Sequence, residues 1–266
     1  MPKIQTADGI RLHYEEAGSG RPLVCIHGWG MSGKIWSFGE ELRSSRRLII
    51  PDLRGHGGSS APGAGYALTD FAADLDALCT ELQLERVVLL GWSLGSQVAL
   101  QAVPLLRKRL EGVILVSGTP RFTADADYPH GLPLHAVRGL GLRLKRNYEA
   151  AMADFFTGMF VAGEAVPARS RLMPELPPLH AALAALDTLV TADLRPLLPS
   201  LDLPVLLVHG DRDPVCLPSA SRFMAEQLPD ARLEVLAGAG HAPFLSSRDG
   251  FTAAVTQFLV GFHAYD

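Results

Sequence analysis

The chain has 266 residues, 48% of them hydrophobic, and a formal net charge of −4. That length suits one large α/β domain, or one domain carrying an inserted subdomain, and it can bury a core without covalent staples. The acidic balance excludes the basic footprint of a nucleic-acid binder or of a protein held on an anionic membrane. The three cysteines, Cys25, Cys79 and Cys216, are odd in number and lack C-x-x-C spacing. They argue against a disulfide framework or a zinc cluster and are expected as free thiols in a reducing compartment. Met1 to Thr6 lacks the apolar stretch of a signal peptide, and no apolar run approaches membrane-spanning length. A cytoplasmic, soluble monomer with neither metal nor organic cofactor is the expectation.

Lys3 to Glu15 reads as a hairpin turning at Asp8-Gly9. Leu23 to Ile26 is a short apolar strand that runs into His27-Gly28-Trp29-Gly30. Arg47 to Pro51 is another, followed by the Gly-rich stretch Asp52 to Ser59. Leu68 to Leu82 has helical spacing. Val87 to Leu90 is a third buried strand, with a helix over Ser96 to Leu106, and Val113 to Val116 is a fourth. Pro204 to Val208 and Leu233 to Leu236 are two more, with helices near Ser219 to Gln227 and Phe251 to Phe262. Short apolar strands alternating with helices indicate a mostly parallel sheet covered on both faces, with ligands beyond the carboxyl ends of its strands. The alternation stops between Gly118 and Pro199, a stretch too long for a plain loop. It is expected to be a helical cap, residues 118–199, inserted into a core domain of residues 1–117 and 200–266.

Gly91-Trp92-Ser93-Leu94-Gly95 has the form G-x-S-x-G, placed after a strand and before a helix. Such a turn is so tight that the positions two away from the serine must be nearly free of side chain, hence Gly91 and Gly95. Ser93 is the expected nucleophile, with the helix N-terminus adding a favourable dipole for a developing oxyanion. Its base must follow a late strand. His241, in Gly238 to Phe244 just past Leu233 to Leu236, is favoured over His263, which lies in the C-terminal tail. Two carboxylates follow the strand Pro204 to Val208. Asp213, three residues past Gly210 and directly before Pro214, is favoured as the acid. Asp211 could instead cap the turn. The oxyanion hole is expected from the backbone N–H groups of Leu94 and Trp29. His27 and His56 read as loop-bracing residues.

Taken together, the hairpin, His27-Gly28, Asp52-x-x-Gly55-His56-Gly57-x-Ser59, the serine motif, Gly210-x-x-Asp213 and Gly240-His241 resemble the α/β-hydrolase superfamily over the whole chain except the cap. Within it, His27 to Gly30, Gly91 to Gly95, Ser117 to Phe122 and Gly240 to Phe244 are similar to the pimeloyl-[acyl-carrier protein] methyl ester esterase family. Ser96 stands where that family often has another glycine, and the loop Arg54 to Ser59 looks more like general esterases. The resemblance implies an α/β-hydrolase fold with catalytic Ser93, Asp213 and His241. It also implies substrate contacts at Trp29, Ser93 and Leu94, with His241 beside them, and at the cap residues Phe155, Phe156 and Met159. That cap stretch equally reads as a helix packed on the core. Arg138, Arg143, Lys145 and Arg146 read either as a solvated helix face or as a dock for an acidic carrier protein. The implied activity is hydrolysis of a carboxylic ester, specifically demethylation of pimeloyl chains on acyl carrier protein. A broad esterase for short acyl esters and a hydrolase-fold ligand receptor are the alternatives.

Overall fold

The computed structural model describes residues 2–36, 40–164 and 175–262. Its sheet has eight strands in the order β1-β2-β4-β3-β5-β6-β7-β8. These are β1 (Lys3–Gln5), β2 (Arg11–Ala17), β3 (Arg21–Ile26), β4 (Arg46–Pro51), β5 (Val87–Trp92), β6 (Leu110–Val116), β7 (Val205–Gly210) and β8 (Ala231–Leu236). The hairpin β1–β2 is antiparallel, as is the β2–β4 pair, and every pairing from β4 to β8 is parallel. Parallel strands are covered on both faces, and β5 is buried at all its positions. At the sheet edge, β8 differs from the expected buried run. None of its positions is fully buried, and Arg232 and Val235 are exposed, as suits a strand with only one neighbour.

The order β4-β3-β5-β6 places the ends of β3 and β5 side by side at the centre of the sheet. The loops that leave these two strands therefore meet, although His27 and Ser93 are far apart in sequence. Helices α1 (Glu40–Ser45), α2 (Leu68–Glu81) and α3 (Leu94–Leu106) connect this half of the sheet. The short α1 carries no hydrophobic period and was not expected. A buried pair pins α2 to the loop after β4: Arg54 Nε and Nη2 each lie 2.6 Å from an oxygen of Asp74.

Between β6 and β7 the described residues hold helices α4 (Leu134–Arg146), α5 (Tyr148–Gly158) and α6 (Leu179–Thr191), with two isolated bridges and no strand. The two ends of this insertion are tied together. Leu194 N–H donates to Pro120 O at 2.8 Å, and Arg121 Nη1 lies 3.3 Å from Asp193 Oδ2. Asn147 separates α4 from α5 and caps the second helix, accepting from Ala150 N–H at 3.2 Å. The fold closes with α7 (Pro218–Gln227), α8 (Pro243–Ser246) and α9 (Arg248–Val260). No helix among the described residues is long and apolar enough to cross a membrane. All three cysteines are free and buried.

Candidate active site

Ser93 follows β5 directly and opens α3 with φ 57° and ψ −117°, a backbone conformation that L side chains rarely adopt. The turn is held from both sides. Ser93 N–H donates to Val116 O at 3.0 Å. Ser96 Oγ reaches Gly91 O at 2.7 Å and Val116 O at 3.2 Å, so this small residue ties strand to helix as well as letting them approach. A Cβ on Gly91 would stand 2.2 Å from Gly95 O, and one on Gly95 2.3 Å from Ile26 O. Both glycines are therefore required by close backbone approach.

The fold brings Ser93, His241 and Asp213 into one hydrogen-bonded line. Ser93 Oγ lies 3.0 Å from His241 Nε2, and His241 Nδ1 lies 2.8 Å from Asp213 Oδ2. His241 and Asp213 are almost fully buried. The second carboxylate oxygen, Oδ1, accepts from Val215 N–H at 2.8 Å and Cys216 N–H at 3.0 Å. Burial by itself would raise the Asp213 carboxyl. The charge of His241, and then hydrogen bonding from His209 and His241, outweigh it and hold Asp213 well below the usual carboxylate range. Asp211 points elsewhere, its Oδ1 accepting from Gly238 N–H at 2.7 Å. His263 lies outside the described residues.

His241 is also fastened from outside the triad. Trp92 Nε1–H donates to His241 O at 2.8 Å, with the Trp92 ring 5.5 Å from the imidazole and 5.0 Å from Phe244. From the segment after α5, Met159 O accepts His241 N–H at 2.9 Å, and Glu164 Oε1 accepts Gly240 N–H at 2.6 Å. The sequence reading found neither the Trp92 brace nor Glu164. A buried tryptophan N–H usually finds an acceptor, which was the available signal for Trp92.

On the other side, the loop after β3 is set by two neutral histidines. His27 Nδ1–H donates to Gly28 O at 2.8 Å, and its Nε2 accepts from Leu53 N–H at 3.0 Å. His56 Nδ1–H donates to Arg54 O at 3.0 Å, and its Nε2 accepts from Gly30 N–H at 3.3 Å. Met31 N–H goes to Gly28 O at 3.3 Å and Ser96 N–H to Ser93 O at 2.9 Å. The Gly30, Met31, Ser93 and Ser96 N–H groups, close in sequence to Trp29 N–H and Leu94 N–H, are thus committed to other acceptors. The Trp29 indole reaches between α5 and α6, donating to Ala182 O at 2.8 Å and meeting Phe155 edge-on at 5.0 Å.

Burial pushes the His56 imidazole down from 6.5 to about 3, with the nearby His27 adding to the effect. Below pH 6.5 the unfolded chain binds a proton that the folded chain refuses. The contribution of His56 to stability is therefore complete above pH 6.5 and falls away as pH drops toward about 3. His56→Gln keeps an acceptor for Gly30 N–H but cannot take this proton. It is expected to flatten the acid-side loss of stability. Urea midpoints of both proteins from about pH 7 to about pH 4 check this, and parallel curves would contradict it.

Among the cap residues expected near substrate, Phe155 lines an apolar cavity of about 240 Å³ with Phe122, Val137, Leu140 and Val215, and with Arg143 and Asp154 among its polar lining. Phe156 and Met159 are buried and do not line this cavity. None of the three triad residues lines this cavity, which reaches the residues directly after Asp213 through Pro214 and Val215, or a larger one of about 430 Å³ between Tyr66–Thr69 and Asp187–Leu194. Arg138, Arg143, Lys145 and Arg146 are all exposed on α4, and no carboxylate pairs with them among the described residues.

Residues 21–247 match the α/β-hydrolase fold family. The chain belongs to that family. It is 33% identical over 258 residues to the pimeloyl-[acyl-carrier protein] methyl ester esterase of Nitrosospira multiformis, covering 94% of this chain and 98% of the relative. It is 35% identical over 254 residues to the protein of the same name from Nitrosomonas europaea, covering 91% and 97%. Among solved structures it is similar to an esterase from Exiguobacterium antarcticum, with a TM-score of 0.91 and 30% identity over 96% of this chain and 98% of the other.

Proposed function

We propose that this α/β hydrolase is a cytoplasmic, monomeric serine carboxylic ester hydrolase that removes the methyl ester from a pimeloyl chain presented on acyl carrier protein. The observation that carries the chemistry is the unbroken line from Ser93 Oγ through His241 to Asp213. Ser93 attacks the ester carbonyl while His241 Nε2 takes its proton. The Trp29 and Leu94 amides hold the oxyanion, and Asp213 keeps the His241 tautomer and stabilises the imidazolium. Methanol leaves with the proton returned by His241. Water, deprotonated by the same imidazole, then cleaves the acyl-enzyme and frees Ser93 and the carboxylic acid. None of these steps calls for a metal or an organic cofactor.

The names of the relatives from Nitrosospira and Nitrosomonas support the substrate, and the cap supports its manner of presentation. Val137 and Leu144 bury one face of α4, leaving Arg138, Leu142 and Arg146 at four-residue spacing on an exposed stripe, with Leu142 69% accessible. Basic side chains around an exposed leucine suit an acidic partner. The acyl chain would lie along the apolar cavity beside Phe155 and Val215, with its thioester left at the cap surface. Position rather than intrinsic reactivity then selects the methyl ester.

The experiment is to assay the purified chain on methyl pimeloyl carrier protein beside short free methyl esters. A clear preference in kcat/KM for the carrier-bound ester is expected. Equal or better use of short esters would return first place to a broad esterase, the reading that the Exiguobacterium structure favours. Reversing Arg138, Lys145 and Arg146 to Glu, with the cavity residue Arg143 kept, should lower kcat/KM on the carrier ester roughly tenfold or more. Hydrolysis of a short free ester should barely change. Equal losses on both substrates would instead indicate damaged cap packing.

A further inference from the structure

The triad acid has a second histidine partner. His209, at the penultimate position of β7, is fully buried. Its Nε2 lies 2.8 Å from Cys216 O and 3.1 Å from Asp213 Oδ2, the same oxygen that His241 Nδ1 approaches from the other side. Its Nδ1 lies 2.6 Å from Ser221 Oγ, which is fully buried on α7. An imidazole nitrogen facing both a carbonyl oxygen and a carboxylate must carry a proton, since a lone pair there would be repelled by both. Ser221, whose hydroxyl can donate, then satisfies the lone pair on Nδ1. Oδ2 is thus flanked by two imidazole N–H groups and Oδ1 is held by two backbone amides.

We infer that His209 is a positioning residue for the hydrolysis: locked as the Nε2–H tautomer by Cys216 O and Ser221, it fixes the Asp213 carboxylate and thereby the base His241. The inference rests on the triad reading above. It explains why a histidine, a costly group to bury, occupies the end of a strand with both ring nitrogens engaged. His209 also draws charge density from Oδ2. Without this donor the carboxylate would hold protonated His241 more tightly, leaving less of the free imidazole on the acid side of the profile.

The other titratable groups facing this cluster are Cys216, Glu164 and Asp211. The Cys216 thiol is pushed well up by burial and then by Asp213, so it stays neutral. Glu164 approaches from the cap at Gly240 N–H, and Asp211 sits in the same loop at Gly238 N–H. All three are unchanged in the variants below.

His209→Phe keeps a flat ring without a donor, and His209→Gln keeps a donor. The Phe variant should lose roughly ten- to a hundredfold in kcat on a short free ester, as for one hydrogen bond to a charged group. KM should stay within about twofold, and the acid limb of the kcat–pH profile should move to higher pH. The Gln variant should recover most of the rate. Nitrogen-15 NMR of the wild-type imidazoles supplies a readout independent of turnover and of any variant's folding. It should show His209 protonated on Nε2 and bare on Nδ1, with its shifts moving as His241 titrates. A proton on Nδ1 of neutral His209 would overturn the inference, as would a folded Phe variant with unchanged kcat and pH profile. Equal losses in both variants, with KM raised alongside, would also overturn it in favour of simple packing. Failure of the wild-type chain to hydrolyse any ester would refute the proposed function instead, leaving the NMR result to judge His209.

Discussion

Ser93→Ala is expected to lower kcat by a factor on the order of 10⁶ while leaving the fold intact. That factor corresponds to about 8 kcal/mol of barrier, far more than loss of one oxyanion donor, because the covalent route itself disappears. The backbone should hold its shape. Ser93 N–H still donates to Val116 O, Ser96 still bridges Gly91 and Val116, and alanine meets the strained φ of 57° no worse than serine does. Residual catalysis would come from the oxyanion amides and from binding alone. Ester turnover and far-UV circular dichroism of the purified variant check this. A folded variant retaining more than about one hundredth of wild-type kcat would remove Ser93 from the mechanism.

Asp213→Asn is expected to cost roughly 10⁴ in kcat, whereas Asp211→Asn should cost less than about threefold. The reason is the donor count around Asp213. In the variant the amide oxygen can still accept from Val215 and Cys216 N–H, which leaves its NH₂ facing His241 Nδ1 and His209 Nε2. To avoid opposing N–H groups, His241 must carry its proton on Nε2, and it can then no longer accept one from Ser93. Asp211 is exposed, and its single bond from Gly238 N–H survives in an asparagine. Steady-state rates of the two variants decide between the carboxylates, and the reverse ranking would reassign the acid.

Much of this site was legible because its strongest constraints are local. The steric demand of the turn at Ser93 falls on Gly91 and Gly95, two residues away on either side, and the apolar runs of β3, β5, β6 and β7 mark the strand ends that carry the site. Boundaries shifted where local pattern and geometry disagree. α3 begins at Leu94 rather than Ser96, because the helix starts as soon as the strained Ser93 has turned the chain. The braces escaped notice for the opposite reason. Trp92 to His241, Glu164 to Gly240 and Arg54 to Asp74 join residues distant in sequence, and no spacing rule connects them. His209 was visible as a residue at a strand end, but its role depends on which oxygen of Asp213 it faces. The short helix α1 carries no hydrophobic period to reveal it, and β8 shows its edge position only once the strand order is known.

Active-site titration tests most directly whether Ser93 is the nucleophile of an ester hydrolase. The purified chain is treated with increasing amounts of a fluorophosphonate. Ester turnover is then followed alongside the intact mass and the mass of the peptide bearing Ser93. Turnover should fall in proportion to labelling and vanish at one adduct per chain, with the adduct on Ser93. An adduct on another residue, or ester turnover that persists in chains fully labelled at Ser93, would contradict the assignment.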